Sequence, residues 1–265
     1  MRTTAITTLM VAALALTTPA RAQDAAAKPS GTAKATTTAK NPTATAHATY
    51  DRALLKPALL KATAPGSFDV KFATTKGDFT VNVVRAWAPL GADRFYNLVR
   101  HHFFDSASFF RVVPGFVVQF GLSAYPPVSK AWTGAKIPDD AVAKSNAKGF
   151  ITFATGGPGT RTTQVFINLG DNSRLDTEPS GPFAPFGQVT EGMSVVEQLY
   201  SGYGDGPPRG RGPAQDQIEK EGKPYIDKGF PNLDFIKSAT LVGAPAPSAK
   251  KPAVKPTTAV TPQKQ

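Results

Sequence analysis

With 265 residues, 41% of them hydrophobic, the chain can bury one large core or two small ones. It has no cysteine and three histidines (His47, His101 and His102), which excludes disulfides, thiolate metal sites and cysteine nucleophiles and leaves little for Ser–His chemistry. The net charge of +11 does not describe a nucleic-acid-binding domain: residues 67–243 hold 18 basic against 17 acidic side chains, and the excess sits in both flanks.

In chain order, Arg2, the apolar run from Ala5 to Leu16 and the small-x-small triplet Ala20-Arg21-Ala22 predict an export signal over 1–22, cleaved before Gln23. That run falls short of the roughly 20 residues a membrane span needs. Residues 23–64 are rich in Ala, Thr, Lys and Pro and predict a disordered linker, because they bury too little surface to offset chain entropy. Within them, Ala53-Leu54-Leu55 and Ala58-Leu59-Leu60 form a short apolar patch able to make a helical turn or to dock. A folded domain is expected over 65–243, and residues 244–265 repeat the Ala/Pro/Lys composition of a disordered tail.

Inside the domain, Phe68, Val70 and Phe72 alternate with polar residues, a turn follows, and Phe79, Val81 and Val83 alternate again, which predicts a hairpin. After Pro89 the spacing of Phe95, Leu98, Val99 and His102 is helical. Strand-like runs follow at Phe109–Val113, Phe116–Phe120, Gly149–Ala154 and Gln164–Leu169. A second helix fits Met193 to Tyr200, and Asp234 to Val242 reads as a closing strand. Many short strands with two helices at separate points predict a mainly β fold: a closed antiparallel barrel with helical caps.

The densest segment runs from Ser108 to Gly121, two strands doubling back through Pro114-Gly115. Arg111 stands among apolar neighbours. An unpartnered buried guanidinium is expensive, so Arg111 is expected either at a rim or held by acceptors such as Gln119. A second segment, Gly149 to Asn168, carries a Gly-rich loop between two strands. It lacks the Lys-Ser/Thr pair of a phosphate-binding loop and opens a strand, not a helix.

The strings FFRVVPGFVVQFG, GFITFATGGPGTRTTQVFIN, RLD and FAPFGQVTEGMSVVEQL, in this order and spacing, resemble the cyclophilin signature from about residue 68 to 242. The resemblance implies an eight-stranded antiparallel barrel capped by two helices, with peptidyl-prolyl cis-trans isomerase activity in an outer groove. By the same resemblance, Arg111 matches the catalytic arginine, with Gln119 supporting it and Phe116 and Val117 in the pocket. Ala154 and Thr155 match a pair whose backbone holds the peptide; Thr155 departs from the usual Asn. Gln164, Phe166 and Leu175 match a groove glutamine, the aromatic floor and an apolar wall. Phe183 stands where many members have His, Phe110 replaces a His that often precedes the arginine, and Arg174 stands where cyclosporin-sensitive members carry Trp.

No bond is broken in this isomerisation, so no nucleophile, metal or cofactor is expected. The implied partners are Pro-containing unfolded or flexible polypeptides. No nucleic acid and no membrane segment after signal cleavage are expected, and the enzyme is expected to be a monomer, exported to the periplasm or secreted. The same groove could instead hold Pro-containing peptides without turnover. Of the remaining features, His101-His102 read as a helix end, and Asp139-Asp140 after Pro138 as a surface turn. Residues 202–213 resemble an RGG-like element in composition but read as an ordered loop, within a longer insertion over 201–232 that has no assigned role.

Overall fold

The computed structural model describes residues 50–179 and 181–243; the predicted signal, most of the linker and the tail lie outside them. The alternating residues near the start of the domain pair as strands β1 (Ser67–Thr74) and β2 (Gly77–Val84). Their register sets Phe72 opposite Phe79 and Val70 opposite Val81. All four are buried, and the two phenyl rings stack 4.8 Å apart. The helical spacing after Pro89 becomes α1 (Pro89–Arg100), which buries Ala92, Phe95, Leu98 and Val99 against the sheet.

The chain continues through β3 (Arg111–Val113), β4 (Val117–Phe120), α2 (Pro126–Trp132), β5 (Phe150–Phe153), β6 (Val165–Asn168) and β7 (Pro185–Glu191). It ends with α3 (Met193–Glu197), α4 (Gln215–Glu221), α5 (Lys223–Gly229) and β8 (Ile236–Leu241). The eight strands form one antiparallel sheet in the order β3-β4-β6-β5-β7-β2-β1-β8. One face carries the main core, in which Phe72, Phe95, Phe104 and Phe120 meet ring to ring.

Four expectations need correction. The ladder is not closed: β3 and β8 do not pair, and the segment before β3 meets the start of β8 through the isolated bridge Ser108–Phe235, with backbone bonds Ser106 N–H to Ile236 O (2.8 Å), Ile236 N–H to Ala107 O (2.9 Å) and Phe109 N–H to Asp234 O (3.0 Å). His102 and Ser106 adopt positive φ just upstream of this bridge. The two predicted helices are joined by α2, α4 and α5, the last two inside the insertion. Strand β7 carried no clear signal, since it begins at Pro185 and contains Gly187, both strand breakers.

The third correction concerns the expected linker, whose last residues, 50–64, are part of the fold. Arg52–Leu55 and Pro57–Leu59 form 3₁₀ turns; Leu54 is buried in the main core, and its carbonyl accepts from Trp132 Nε1 at 2.9 Å. Asn97 on α1 both accepts from Ala62 N–H (3.1 Å) and donates to Ala62 O (2.7 Å). Asp93, one helical turn earlier, accepts from Ala64 N–H at 2.8 Å and is gripped by Arg85. Burial pushes the Asp93 carboxyl up, but the Arg85 and Ala64 hydrogen bonds and the Arg85 charge outweigh it and hold the group below its ordinary value.

Asp140 is likewise no surface turn. It is buried, accepts the free N–H groups of Leu90 (2.9 Å) and Gly91 (2.8 Å) at the start of α1, and pairs with buried Arg161 at 3.1 Å. A carboxylate there meets both the orphan donors and the positive end of the helix. His101 and His102 do end α1, facing Asp51 and Asp105.

Because Leu54 fills core space, Leu54→Ala should destabilise the protein by about 2–5 kcal/mol, the usual result of leaving a partly collapsed cavity. Urea unfolding of the variant measures this; a shift within error would mean that residues 50–64 do not contribute to the core.

Candidate active site

The hairpin of β3 and β4 positions the arginine. Phe116 N–H donates to Val113 O (3.0 Å), closing a four-residue turn with Pro114 and Gly115 in the middle. Gly115 has φ +71°, which only glycine adopts without cost at the third position of such a turn. The turn fixes the register: Arg111 lies opposite Gln119, and Gln119 opposite Phe166 on β6. These three residues form one row across three strands. The neighbouring row, Val112, Val118 and Ile167, faces the main core. The row bearing Arg111 therefore lies on the other face of the sheet.

That row is wired by side-chain hydrogen bonds. Arg111 Nη1 donates to Gln119 Oε1 at 3.1 Å, and Gln119 Nε2 donates to Gln164 Oε1 at 2.9 Å. The guanidinium also sits 5.5 Å from the centre of the Phe116 ring. Beside this polar line lies an apolar cluster separate from the main core: Val117, Phe166 and Leu175, buried, with Phe116, Ala154 and Phe183 packed on them. Phe166 and Phe183 meet edge to face at 5.6 Å. The loop bearing Leu175 and Phe183 is tied down by Asn146, whose amide donates to Asp176 (2.7 Å) and Phe183 O (2.8 Å).

Nine of the ten residues singled out in the sequence thus fall into one contiguous surface: Arg111, Gln119, Phe116, Val117, Ala154, Gln164, Phe166, Leu175 and Phe183. Thr155 adjoins it through Ala154, but its hydroxyl turns into its own loop, bonded with Gly157 and Thr160. Arg174 lies at the rim, its guanidinium 4.9 Å from the Phe116 ring on which it stacks.

The insertion supplies what sequence reasoning missed. Asp205 forms a bidentate pair with Arg111, to Nε at 2.8 Å and to Nη2 at 3.1 Å. Burial pushes the Asp205 carboxyl up, but the Arg111 hydrogen bonds and charge, with Gly206 N–H and Arg209, hold it below its ordinary value. The sole signal for Asp205 was a lone carboxylate between two glycines. Phe110 also finds its reason here. It is buried in a second small core with Leu122, Ile218, Ile226 and Leu233, which seats the insertion on the sheet. A cleft of about 530 Å³ separates Arg111 and Gln119 from Pro207, Pro208 and Pro213. A larger one, about 610 Å³, lies under Pro57 and Leu60 beside α1 and contains none of these residues.

Arg111 and Gln119 thus stand beside a largely aromatic cluster on the face of the sheet turned away from the main core. The sequence profile of the family described as cyclophilin type peptidyl-prolyl cis-trans isomerase/CLD matches residues 69–221. A peptidyl-prolyl cis-trans isomerase of Acinetobacter baylyi is 32% identical over 144 residues, covering 53% of this chain and 76% of that protein. A peptidyl-prolyl cis-trans isomerase-like 1 of Aspergillus oryzae is 31% identical over 134 residues, covering 49% of this chain and 81% of that one. The chain belongs to the cyclophilin-type peptidyl-prolyl cis-trans isomerase family. A crystal structure of a Cryptosporidium parvum cyclophilin aligns over 68% of this chain and 99% of its own, with a TM-score of 0.49 and 16% identity, too distant to add to that conclusion.

Truncating Phe166 should be costly, since it is 5% exposed. Phe166→Ala is expected to lower stability by about 3–5 kcal/mol. Thermal or urea unfolding would read this, and a wild-type midpoint would show that the second cluster is not a packed unit.

Proposed function

We propose that the groove between Arg111 and the Phe166 cluster takes up X-Pro segments of polypeptides in extended or flexible form, and that Arg111 drives the rotation. The protein is a peptidyl-prolyl cis-trans isomerase. Resonance gives the peptide bond a rotation barrier of about 18–20 kcal/mol. In X-Pro bonds both isomers are populated, yet they exchange only over tens to hundreds of seconds. The task is to lower a torsional barrier, with no bond made or broken.

The observation that carries the reading is the line Arg111–Gln119–Gln164 running beside the apolar cluster. In this reading Phe116, Val117, Phe166, Leu175 and Phe183 hold the proline ring, fixing one side of the bond while the other turns. The backbone of Ala154 and Thr155 and the amide of Gln164 hold the peptide alongside. As the proline nitrogen pyramidalises, its lone pair leaves the amide π system. A guanidinium N–H directed at that nitrogen stabilises the rotated state more than either planar one, which is preorganised electrostatic catalysis. Gln119 keeps the guanidinium aimed, so little reorganisation is needed during the turn. The chemistry requires only the side chains already in place.

Export is part of the proposal, supported by Arg2, the Ala5–Leu16 run and the Ala20-Arg21-Ala22 triplet. It makes the clients newly exported chains in the periplasm or outside the cell, met by a monomeric enzyme. Among the described residues no helix is long and apolar enough to cross a membrane.

Arg111→Ala should reduce kcat/KM on a Pro-containing tetrapeptide by about 10²–10³ while the protein stays folded, the loss typical of removing one preorganised donor. Undiminished isomerisation by the folded variant would refute the role of the arginine, and peptide binding without turnover by the unmodified protein would mark a binding module. Cyclosporin gives a second test, because Arg174 offers a flexible cation where sensitive relatives offer an indole. Arg174→Trp should tighten cyclosporin binding by about 30- to 1000-fold, equivalent to about 2–4 kcal/mol, with turnover little changed. Tight inhibition of the unmodified protein would show that Arg174 does not face the drug.

A further inference from the structure

The connection between α3 and β8 brings two carboxylates to the cleft beside Arg111, Asp205 and Asp216; Asp205 is the one bonded to the arginine, and the isomerase reading leaves it without a task. Its oxygens take Nε and Nη2 of Arg111 at 2.8 and 3.1 Å, while Gln119 takes Nη1 at 3.1 Å. A guanidinium presents five N–H donors in one plane. Three are engaged, so two remain, one on each terminal nitrogen. The carboxylate fixes the plane of the group without exhausting its donors. Gln119 alone, bonded to one nitrogen, would leave the guanidinium free to swing about that contact; a two-point carboxylate fork removes the freedom.

The loop is shaped around this contact. Gly206 N–H donates to Asp205 Oδ1 and Gly212 N–H to the Asp205 carbonyl, both at 2.8 Å. A Cβ at Gly210 would lie 2.1 Å from that same carbonyl oxygen, so the position accepts no side chain. Two residues before Asp205, Tyr203 packs edge-on against Tyr200 (5.1 Å) and Phe230 (5.2 Å), at the border of the core that holds Phe110. The insertion is thus anchored on Phe110 and reaches its carboxylate to the adjacent residue, Arg111. Such anchoring suits a rigid support better than a mobile competitor for the site.

We infer that Asp205 is a positioning residue for Arg111, a carboxylate supplied by the insertion that holds the guanidinium with its two spare donors toward the X-Pro bond. The inference rests on Arg111 being the donor that stabilises the rotated peptide. It gives the insertion a role in catalysis that does not require it to touch the substrate.

The test is kcat and KM on a Pro-containing tetrapeptide for Asp205→Ala, Asp205→Asn, Asp205→Glu, Arg111→Ala and the Arg111→Ala/Asp205→Ala double variant. Asp205→Ala should lower kcat about 10- to 100-fold, as expected when a reacting group loses its alignment. KM should stay within about twofold, because the interaction lost is one made in the transition state. Asp205→Glu should restore part of kcat. In the Arg111→Ala background the second substitution should change nothing, a non-additivity that a merely structural residue would not show. Asp205→Asn keeps the side-chain volume but loses the charge and one acceptor, so it reads the same effect if the alanine variant loosens the loop. Unchanged or raised kcat in folded Asp205→Ala or Asp205→Asn, or an equal further loss in the Arg111→Ala background, overturns the inference alone. Full activity in Arg111→Ala would overturn the arginine assignment first, and this inference with it.

Discussion

A guanidinium that serves a groove must satisfy most of its own hydrogen bonding and still keep donors for the substrate. Arg111 meets this condition through two acceptors from opposite directions, Gln119 across the hairpin and Asp205 from the insertion. Gln119 is itself held by Gln164, so the arginine stands at the end of a relay anchored in the strand segment before β6. Each member depends on register. A shift of β4 by one residue would carry Gln119 into the main core and bring Val118 to the groove. The tight turn through Gly115 is what prevents that slip.

The sheet therefore serves two cores at once. One face packs the phenylalanine network of the main core. On the other face, Val117, Phe166 and Leu175 form a shallow cluster that stays partly open at Phe116 and Phe183. The half-buried rings Phe116 and Phe183 edge this cluster on the groove side, apart from the main core and without disturbing it. The third cluster, around Phe110, belongs to the insertion and fastens it beside the groove. A phenylalanine before Arg111 and a long connection after α3 are accordingly one feature, since neither would be buried without the other.

The same economy appears around α1. Its free N-terminal donors are met by Asp140, which also neutralises the buried Arg161; removing one partner of such a pair leaves an uncompensated charge. Its outer side holds residues 50–64 through Asp93 and Asn97. The segment before the first strand thus completes the core under Trp132.

Local periods and turns can be read from neighbouring residues alone. The β1–β2 hairpin, α1 and the Pro114-Gly115 turn were legible, because period and turn chemistry are local. The family motifs carried the groove residues, and nine of the ten meet in one surface. The remainder depends on contacts between residues far apart in the chain. Asp205 meets Arg111 across 94 positions, and Leu54 meets Trp132 across 78. A lone carboxylate in a glycine-rich loop has no period to read, and a short apolar patch in a polar segment looks the same whether it docks or not. Its fate is set by whether a complementary hollow exists elsewhere on the fold. Ladder closure was undecidable for the same reason, since the segment before β3 meets the start of β8 only through residues at opposite ends of the domain.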